Sequence, residues 1–147
     1  MIAVDTNLLV YAHRPEMPFH DRAREVLDEA LMKPEPLAVA WPCVHEFLAI
    51  VTHRRIFREP TPIGIALDAL DTLRKSLDGG FLGEGDGYFE ALDSLARPAR
   101  LQGPIIHDAR IAAICLYHGV RELWSADRDF SRFAAIRVRN PLLKSAG

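Results

Sequence analysis

Met1-Ile2-Ala3-Val4-Asp5-Thr6-Asn7-Leu8-Leu9-Val10-Tyr11-Ala12 opens the chain and decides its fold class. Ile2 to Val4 form a short apolar, β-type run, and the polar Asp5-Thr6-Asn7 interrupts it as a turn. Leu8 to Ala12 then read as a short helix, broken at His13-Arg14-Pro15. Buried strand, polar turn, helix is the unit from which open α/β sheets are built.

The unit recurs downstream. From Asp21, the apolar residues Ala23, Val26, Leu27, Ala30 and Leu31 return at helical spacing with charges on the other faces, which predicts a surface helix. Leu37 to Trp41 is a continuous apolar run, as in a strand buried on both faces, and Pro42 suits the first turn of a following helix, where no N–H is needed. That helix turns Val44, Phe47, Leu48 and Val51 inward and carries Glu46 off the centre of its apolar stripe. Thr61-Pro62 predicts another helix start, with Ile63, Ala66, Leu67, Leu70, Leu73 and Leu77 in phase before Asp78-Gly79-Gly80 ends it. Phe81-Leu82 reads as a brief strand, Gly83 to Gly87 as a loop, and Tyr88, Phe89, Leu92 and Leu95 as a helix stopped near Pro98. After the Gly103-Pro104 turn, Asp108 takes the N-cap position of a helix running to Gly119. Glu122 to Ser125 then form a strand, Phe130 to Phe133 a helical turn and Ile136 to Val138 a last strand. Strands alternating with helices predict an α/β fold with a mostly parallel sheet covered on both faces, in one domain spanning residues 1–147.

Composition narrows the function classes. The chain is 49% hydrophobic and 26% charged, as expected of a globular protein. No apolar run approaches the roughly 20 residues of a membrane span, and the opening lacks the basic and long apolar segments of a secretion signal. The expectation is a cytoplasmic protein without membrane contact, with Cys43 and Cys115 reduced and buried. A net charge of -2 argues against coating nucleic acid by bulk positive charge, yet allows a basic rim around an acidic pocket. Only Lys33, Lys75 and Lys144 of the 18 basic residues are lysines; the arginine excess suits phosphate, although a genomic codon bias would produce it equally.

Four acids fall where the chemistry of such a sheet is expected, outside the carboxyl ends of its strands. Asp5 follows the first strand, Glu46 lies on the helix after another, Asp108 opens the helix preceding the Trp124 strand, and Asp127 follows that strand. Each has a structural explanation as a turn former, a helix cap or an acid favoured by a helix dipole. Together they repel: two carboxylates about 4 Å apart cost roughly 4 kcal/mol at an effective dielectric of 20. A hard cation such as Mg2+ or Mn2+ between them removes that cost, and phosphodiester hydrolysis uses such a cation to orient and acidify a water.

The same residues carry a family resemblance. The opening twelve residues resemble the start of a PIN domain. Trp41-Pro42-Cys43-Val44-His45-Glu46-Phe47-Leu48 resembles that family's glutamate-bearing helix start, Ile106-His107-Asp108-Ala109-Arg110-Ile111-Ala112-Ala113 its central aspartate helix, and Ser125-Ala126-Asp127-Arg128-Asp129-Phe130 its hydroxyl-x-Asp-x-Asp-Phe segment. Ser125 stands where many relatives have Thr, which keeps the hydroxyl. The resemblance covers nearly the whole chain and extends to the VapC toxins of toxin–antitoxin pairs. It implies a PIN-like three-layer α/β/α sandwich and a metal-dependent endoribonuclease with an RNA substrate and a cognate antitoxin. It also implies a catalytic set of Asp5, Glu46, Asp108 and Asp127, with Asp5 and Asp108 as principal metal ligands. Asp129 becomes a fifth acid, and Thr6, Asn7 and Ser125 become residues that orient a carboxylate or a water, their reading as plain turn residues staying open.

Arg54, Arg55, Arg58 and Arg110, with Arg97 and Arg100, are the candidate RNA-phosphate contacts. Family analogy and the apolar helix after Pro62 add a homodimer. Other chemistries fit less well. His45-Glu46 lacks the second histidine of a zinc-protease helix, Ala49 standing in its place; Asn7 replaces the second acid of an aspartyl-phosphate phosphatase; and no Gly-rich phosphate loop with its lysine occurs. The alternative is a noncatalytic PIN-like module that binds RNA or protein, and intact acids at all four positions favour catalysis over it.

Overall fold

The computed structural model describes residues 1–143; Lys144 lies outside the described residues. Its strands are β1 (Ile2–Val4), β2 (Leu37–Ala40), β3 (Gly80–Leu82), β4 (Glu122–Trp124) and β5 (Val138–Arg139). Its helices are α1 (Thr6–His13), α2 (His20–Leu31), α3 (Trp41–Val51), α4 (Ile63–Ser76), α5 (Tyr88–Ala99) and α6 (Ile105–Tyr117), and a 3-10 turn covers Arg128–Arg132. The five strands pair in the order β3-β2-β1-β4-β5, and every pairing is parallel. Parallel neighbours require crossover helices, and those cover the sheet on both faces as a three-layer α/β/α sandwich.

That strand order places a topological switch point between β1 and β4: the chain winds outward through β2 and β3, then returns to the other side of β1. At such a point the loops after the two adjacent strands diverge and leave a crevice. Asp5 follows β1 and Ser125 follows β4, so both line it. The Asp5 amide donates to the Trp124 carbonyl at 2.9 Å, which carries the β1–β4 ladder to the edge of the crevice.

β1, β2 and β4 are buried throughout, and one core gathers Val4, Leu8, Val39, Val51, Ile114, Leu123 and Phe130 around them. Pro42 sits in the first turn of α3 as expected. Several boundaries differ from the sequence reading. The helix bearing Asp108 begins at Ile105, so Asp108 lies in its first turn and is not its N-cap. The chain is already turned by Gly103 at a φ of 75°, and Pro104 needs no N–H at a helix start. Thr61 caps no helix; its Oγ1 accepts from Arg14 Nη1 at 2.9 Å instead, and α4 starts at Ile63 without a side-chain cap. Pro98 lies inside the last turn of α5. β5 is Val138–Arg139 rather than Ile136 to Val138, because the Ile136 amide is used in a turn to the Phe133 carbonyl at 2.9 Å.

Candidate active site

Asp5 is the N-cap of α1, and its side chain is 5% exposed. Oδ1 accepts the Thr6 amide at 2.8 Å and the Cys43 thiol at 3.5 Å, while Oδ2 accepts the Ser125 hydroxyl at 2.7 Å. All three donors are neutral. Burial pushes the Asp5 carboxyl upward, more than its hydrogen bonds with Ser125, Thr6 and Cys43 pull it down, and the Asp127 charge adds to the rise.

Ser125 is the joint between Asp5 and the later acids. Its Oγ, besides donating to Asp5, accepts the Asp127 amide at 2.9 Å and faces Asn7 Nδ2 at 3.4 Å. Asn7 Oδ1 accepts the Ala126 amide at 3.3 Å. The loop after β4 is thus tied to the start of α1 from both sides, which fixes where Asp127 emerges. Asp127 Oδ1 in turn accepts the Asp129 amide at 2.8 Å as an Asx turn, and this brings Asp129 round toward the same point. Glu46, in the second turn of α3, accepts the Thr6 hydroxyl on Oε2 at 3.1 Å. Thr6 and Asn7, read from the sequence as part of a turn, are instead the first residues of α1, and with Ser125 they hydrogen-bond to the acids or to the loop that carries them.

Asp108 faces this group from α6. One oxygen from each of Asp108, Asp127 and Asp129 falls within a 4.8 Å set. Asp108 is pushed up to about 6, first by burial and then by the charges of Asp127, Asp129, Asp5 and Glu46. Burial is likewise the main cause that raises Glu46, with Asp5 and Asp127 adding to it. None of the five acids takes part in an ion pair among the described residues. Five carboxylates converge with no side-chain cation to offset them, an arrangement that divalent-ion chemistry fits and that hydrogen bonding alone leaves costly.

Asp5, expected as a principal ligand, accepts an internal donor on each oxygen and keeps further lone pairs. Asp129, expected as a fifth acid, lies with Asp108 and Asp127 in the one set of three acids whose oxygens fall within 4.8 Å of one another among the described residues. Cys43, read as core, is buried but also touches the Asp5 carboxylate; burial first, then the Asp5 charge, raises its thiol well above the ordinary value. Its position just after β2, the strand beside β1, was the available signal.

The arginines divide. Arg110 lines a cavity of about 370 Å3 with His45, Glu46, His107 and Asp108, but it is ion-paired to Glu84. Arg54, Arg55 and Arg58 are exposed beyond the C-terminal end of α3, in a segment held by Arg14 at the far end of α1. Both helices start at the acids, so these three arginines stand at the opposite edge of the sheet. Arg97 pairs with Asp93 on its own helix.

Comparison with known proteins places this site in a family. The PIN domain model matches residues 2–136. The chain is 37% identical over 142 residues to ribonuclease VapC43 of Mycobacterium tuberculosis, covering 97% of this chain and 96% of the relative. It is 30% identical over 137 residues to ribonuclease VapC48 of the same species, covering 93% and 94%. Among solved structures, VapBC2 from Rickettsia felis bound to a promoter DNA fragment aligns with a TM-score of 0.71 at 16% identity, covering 95% of this chain and 98% of that one. The sarcin-ricin-loop-cleaving toxin VapC20 of Mycobacterium tuberculosis aligns at 0.64 and 21% identity, covering 93% and 99%. With the acid-lined switch point, the family match over most of the chain and relatives alike from end to end, this chain belongs to the PIN-domain family, in its VapC ribonuclease branch.

Proposed function

We propose that the protein is a metal-dependent endoribonuclease, the toxin of a toxin–antitoxin pair, with its active site at the β1–β4 switch point. The convergence of Asp108, Asp127 and Asp129 with Asp5 and Glu46, without a compensating side-chain cation, carries this reading. The VapC43 and VapC48 relatives are named ribonucleases, which supports the reaction. Asp108, Asp127 and Asp129 would hold a Mg2+ or Mn2+ ion. Such an ion, when bound, supplies Lewis-acid polarisation of a phosphate and lowers the pKa of a water.

The chain's own groups do the rest. Asp5 is a buried anchor: through Ser125 it sets the Asp127 amide, and with it the direction of the Asp127 and Asp129 carboxylates. Thr6 holds Oε2 of Glu46 and leaves Oε1 without a hydrogen-bond donor, so Oε1 can take the proton of an attacking water. Its raised pKa makes the proton's stay there less costly. The N-termini of α1, α3 and α6 all point at this edge and favour the anionic groups gathered there.

A cognate antitoxin is the proposed partner, in line with the VapBC complexes among the similar folds. Ile63, Ile65 and Leu67 of α4 are about half exposed and support a homodimer through that helix, with light scattering as its check. No helix among the described residues is long and apolar enough to cross a membrane. The test of the reading is cleavage of total cellular RNA by antitoxin-free protein in Mg2+, in Mn2+ and in EDTA, beside Asp108→Asn. Discrete fragments lost in EDTA and in the variant are expected; no fragments from folded protein under any condition would turn the assignment to a noncatalytic binding module.

A further inference from the structure

The acids lie at the meeting of two cavities. One, of about 370 Å3, includes Glu46 and Asp108; the other, of about 590 Å3, includes Ser125 and Asp127 and runs toward α1, α2 and β5. The larger cavity is within the size range of small-molecule sites, and its lining is unlike the acid cluster. Tyr11 and Phe19 contribute aromatic rings 5.9 Å apart. Arg128, Ser131 and Asn140 contribute polar groups. Arg128 is exposed and makes no ion pair among the described residues. Asn140 spends its Oδ1 on the Leu142 amide, which leaves its NH2 to donate elsewhere.

Phe19 is the telling residue. It is 54% exposed and sits at a φ of 66°, where a bulky side chain is rarely found. The segment around it is pinned: His20 Nδ1 lies 2.7 Å from the Tyr11 carbonyl, and the Ala23 amide donates to the Phe19 carbonyl at 2.8 Å. The fold therefore holds a phenyl ring out of the core, beside Tyr11, at backbone cost. Strain of this kind is retained where the surroundings over-determine it, and such positions cluster at functional sites.

We propose that this cavity is a nucleotide subsite, in which one base of the RNA flanking the scissile phosphate stacks on Phe19 while Arg128 meets the backbone phosphate beside it. The inference rests on the ribonuclease reading. Its grounds are the continuity of the cavity with Asp127, the paired rings, an available guanidinium, and at the base edge the Asn140 NH2 as donor and the Ser131 Oγ, which donates to the Arg128 carbonyl at 2.7 Å, as acceptor. Stacking on aromatic side chains is how single-stranded RNA bases are commonly held. Asn140 and Ser131 then give the subsite its base preference.

The test uses short single-stranded ribo-oligonucleotides carrying one 2-aminopurine at successive positions, bound to the full chain in EDTA so that cleavage plays no part. At one position the fluorescence is quenched on binding. Phe19→Ala and Phe19→Gly remove that quench, the glycine variant relieving the backbone at the same time, and Phe19→Trp retains it. In Mg2+, both ring-deleting variants lower kcat/KM about 10-fold or more on an intact substrate, and neither lowers it further on a substrate abasic at that position. Quench at no position, or additive losses on the abasic substrate, overturns the subsite. Normal RNA binding by Phe19→Ala with weakened antitoxin binding overturns it in favour of a protein-docking role. A position-specific quench in a protein that cleaves nothing leaves the subsite standing and removes the ribonuclease reading; cleavage with unchanged kcat/KM in Phe19→Ala does the reverse.

Discussion

Two carboxylates of this protein are almost equally buried and are treated in opposite ways. Glu122, at the amino end of β4, is 3% exposed. Its Oε1 accepts the Trp124 indole N–H at 2.7 Å, and Arg137, Arg121 and Arg139 approach it at 3.3, 3.7 and 3.9 Å. Asp5, across the sheet at the carboxyl end of β1, is 5% exposed and has only neutral donors, with further acids beyond them. Burying a charge is costly unless it is paired. The fold pairs Glu122 internally, whereas no ion pair among the described residues offsets the Asp5 cluster. Under the proposed function, that asymmetry separates a carboxylate kept for stability from a set kept for chemistry.

The hardest way to break the comparison is to remove one acid from each side. Asp108→Asn should lower RNA cleavage by at least about 100-fold while leaving the folded structure intact, whereas Glu122→Gln should leave kcat/KM within about 3-fold of wild type. The first is read by a cleavage assay with matched Mg2+, and the second by the same assay after correction for the folded fraction. Equal losses in both would mean that the acid cluster is structural.

Stability should invert the ranking. Glu122→Gln removes the charge that three guanidinium groups face and should cost about 2 kcal/mol, seen as a lower midpoint in urea whether or not Mg2+ is present. Asp108→Asn should raise the midpoint in EDTA by about 1 kcal/mol, since it deletes a partly desolvated charge from a like-charged group. Mg2+ should stabilise the wild type and fail to stabilise this variant.

These contrasts also mark what could be read before the structure was known. The place of Asp5 was legible because it directly follows the buried apolar strand β1, and that of Asp127 because it lies in the short polar loop after β4. The α/β class was legible for the same reason, since strands buried on both faces form continuous runs such as Leu37 to Ala40. The Glu122 cage was not: its partner Arg139 lies on β5 and Arg137 immediately precedes that strand, and which strand flanks β4 is a matter of topology. Nor were Arg54, Arg55 and Arg58 placeable, because helix length and direction decide which edge of the sheet a loop reaches. The prominence of Asp129 depended on the Asx turn at Asp127, a local hydrogen bond whose formation spacing alone does not require. Phe19 gave no signal, since a phenylalanine in a left-handed conformation is what sequence statistics least expect.

The smallest expected effect is also the most specific to the uncompensated side. The folded Asp108 carboxyl is raised from 3.8 to about 6. A carboxyl raised on folding favours the folded state fully when protonated, below its unfolded pKa, and that contribution is lost as pH rises through the folded value. In EDTA, therefore, the part of the stability that depends on Asp108 should fall between about pH 4 and pH 6, by on the order of 1 kcal/mol after solvent screening. Asp5 and Glu46 are shifted in the same direction and add to the trend. His13 opposes it: burial, with the Arg14 charge, lowers its pKa, so its contribution is lost as pH falls. The outer acids Glu35 and Asp71, held down to about 2 by Arg121 and by Arg74, lose their contribution only as pH falls below the ordinary carboxylate range. Urea midpoints of wild type minus those of Asp108→Asn, measured from pH 4 to pH 7, cancel the terms the two proteins share and isolate Asp108. The difference should become more negative as pH rises in EDTA. In saturating Mg2+ it should change sign, because binding a cation requires the ionised carboxylates that the empty cluster resists. A difference that is flat with pH in both conditions would mean that Asp108 does not feel the other acids, and the contrast with Glu122 would then rest on burial alone.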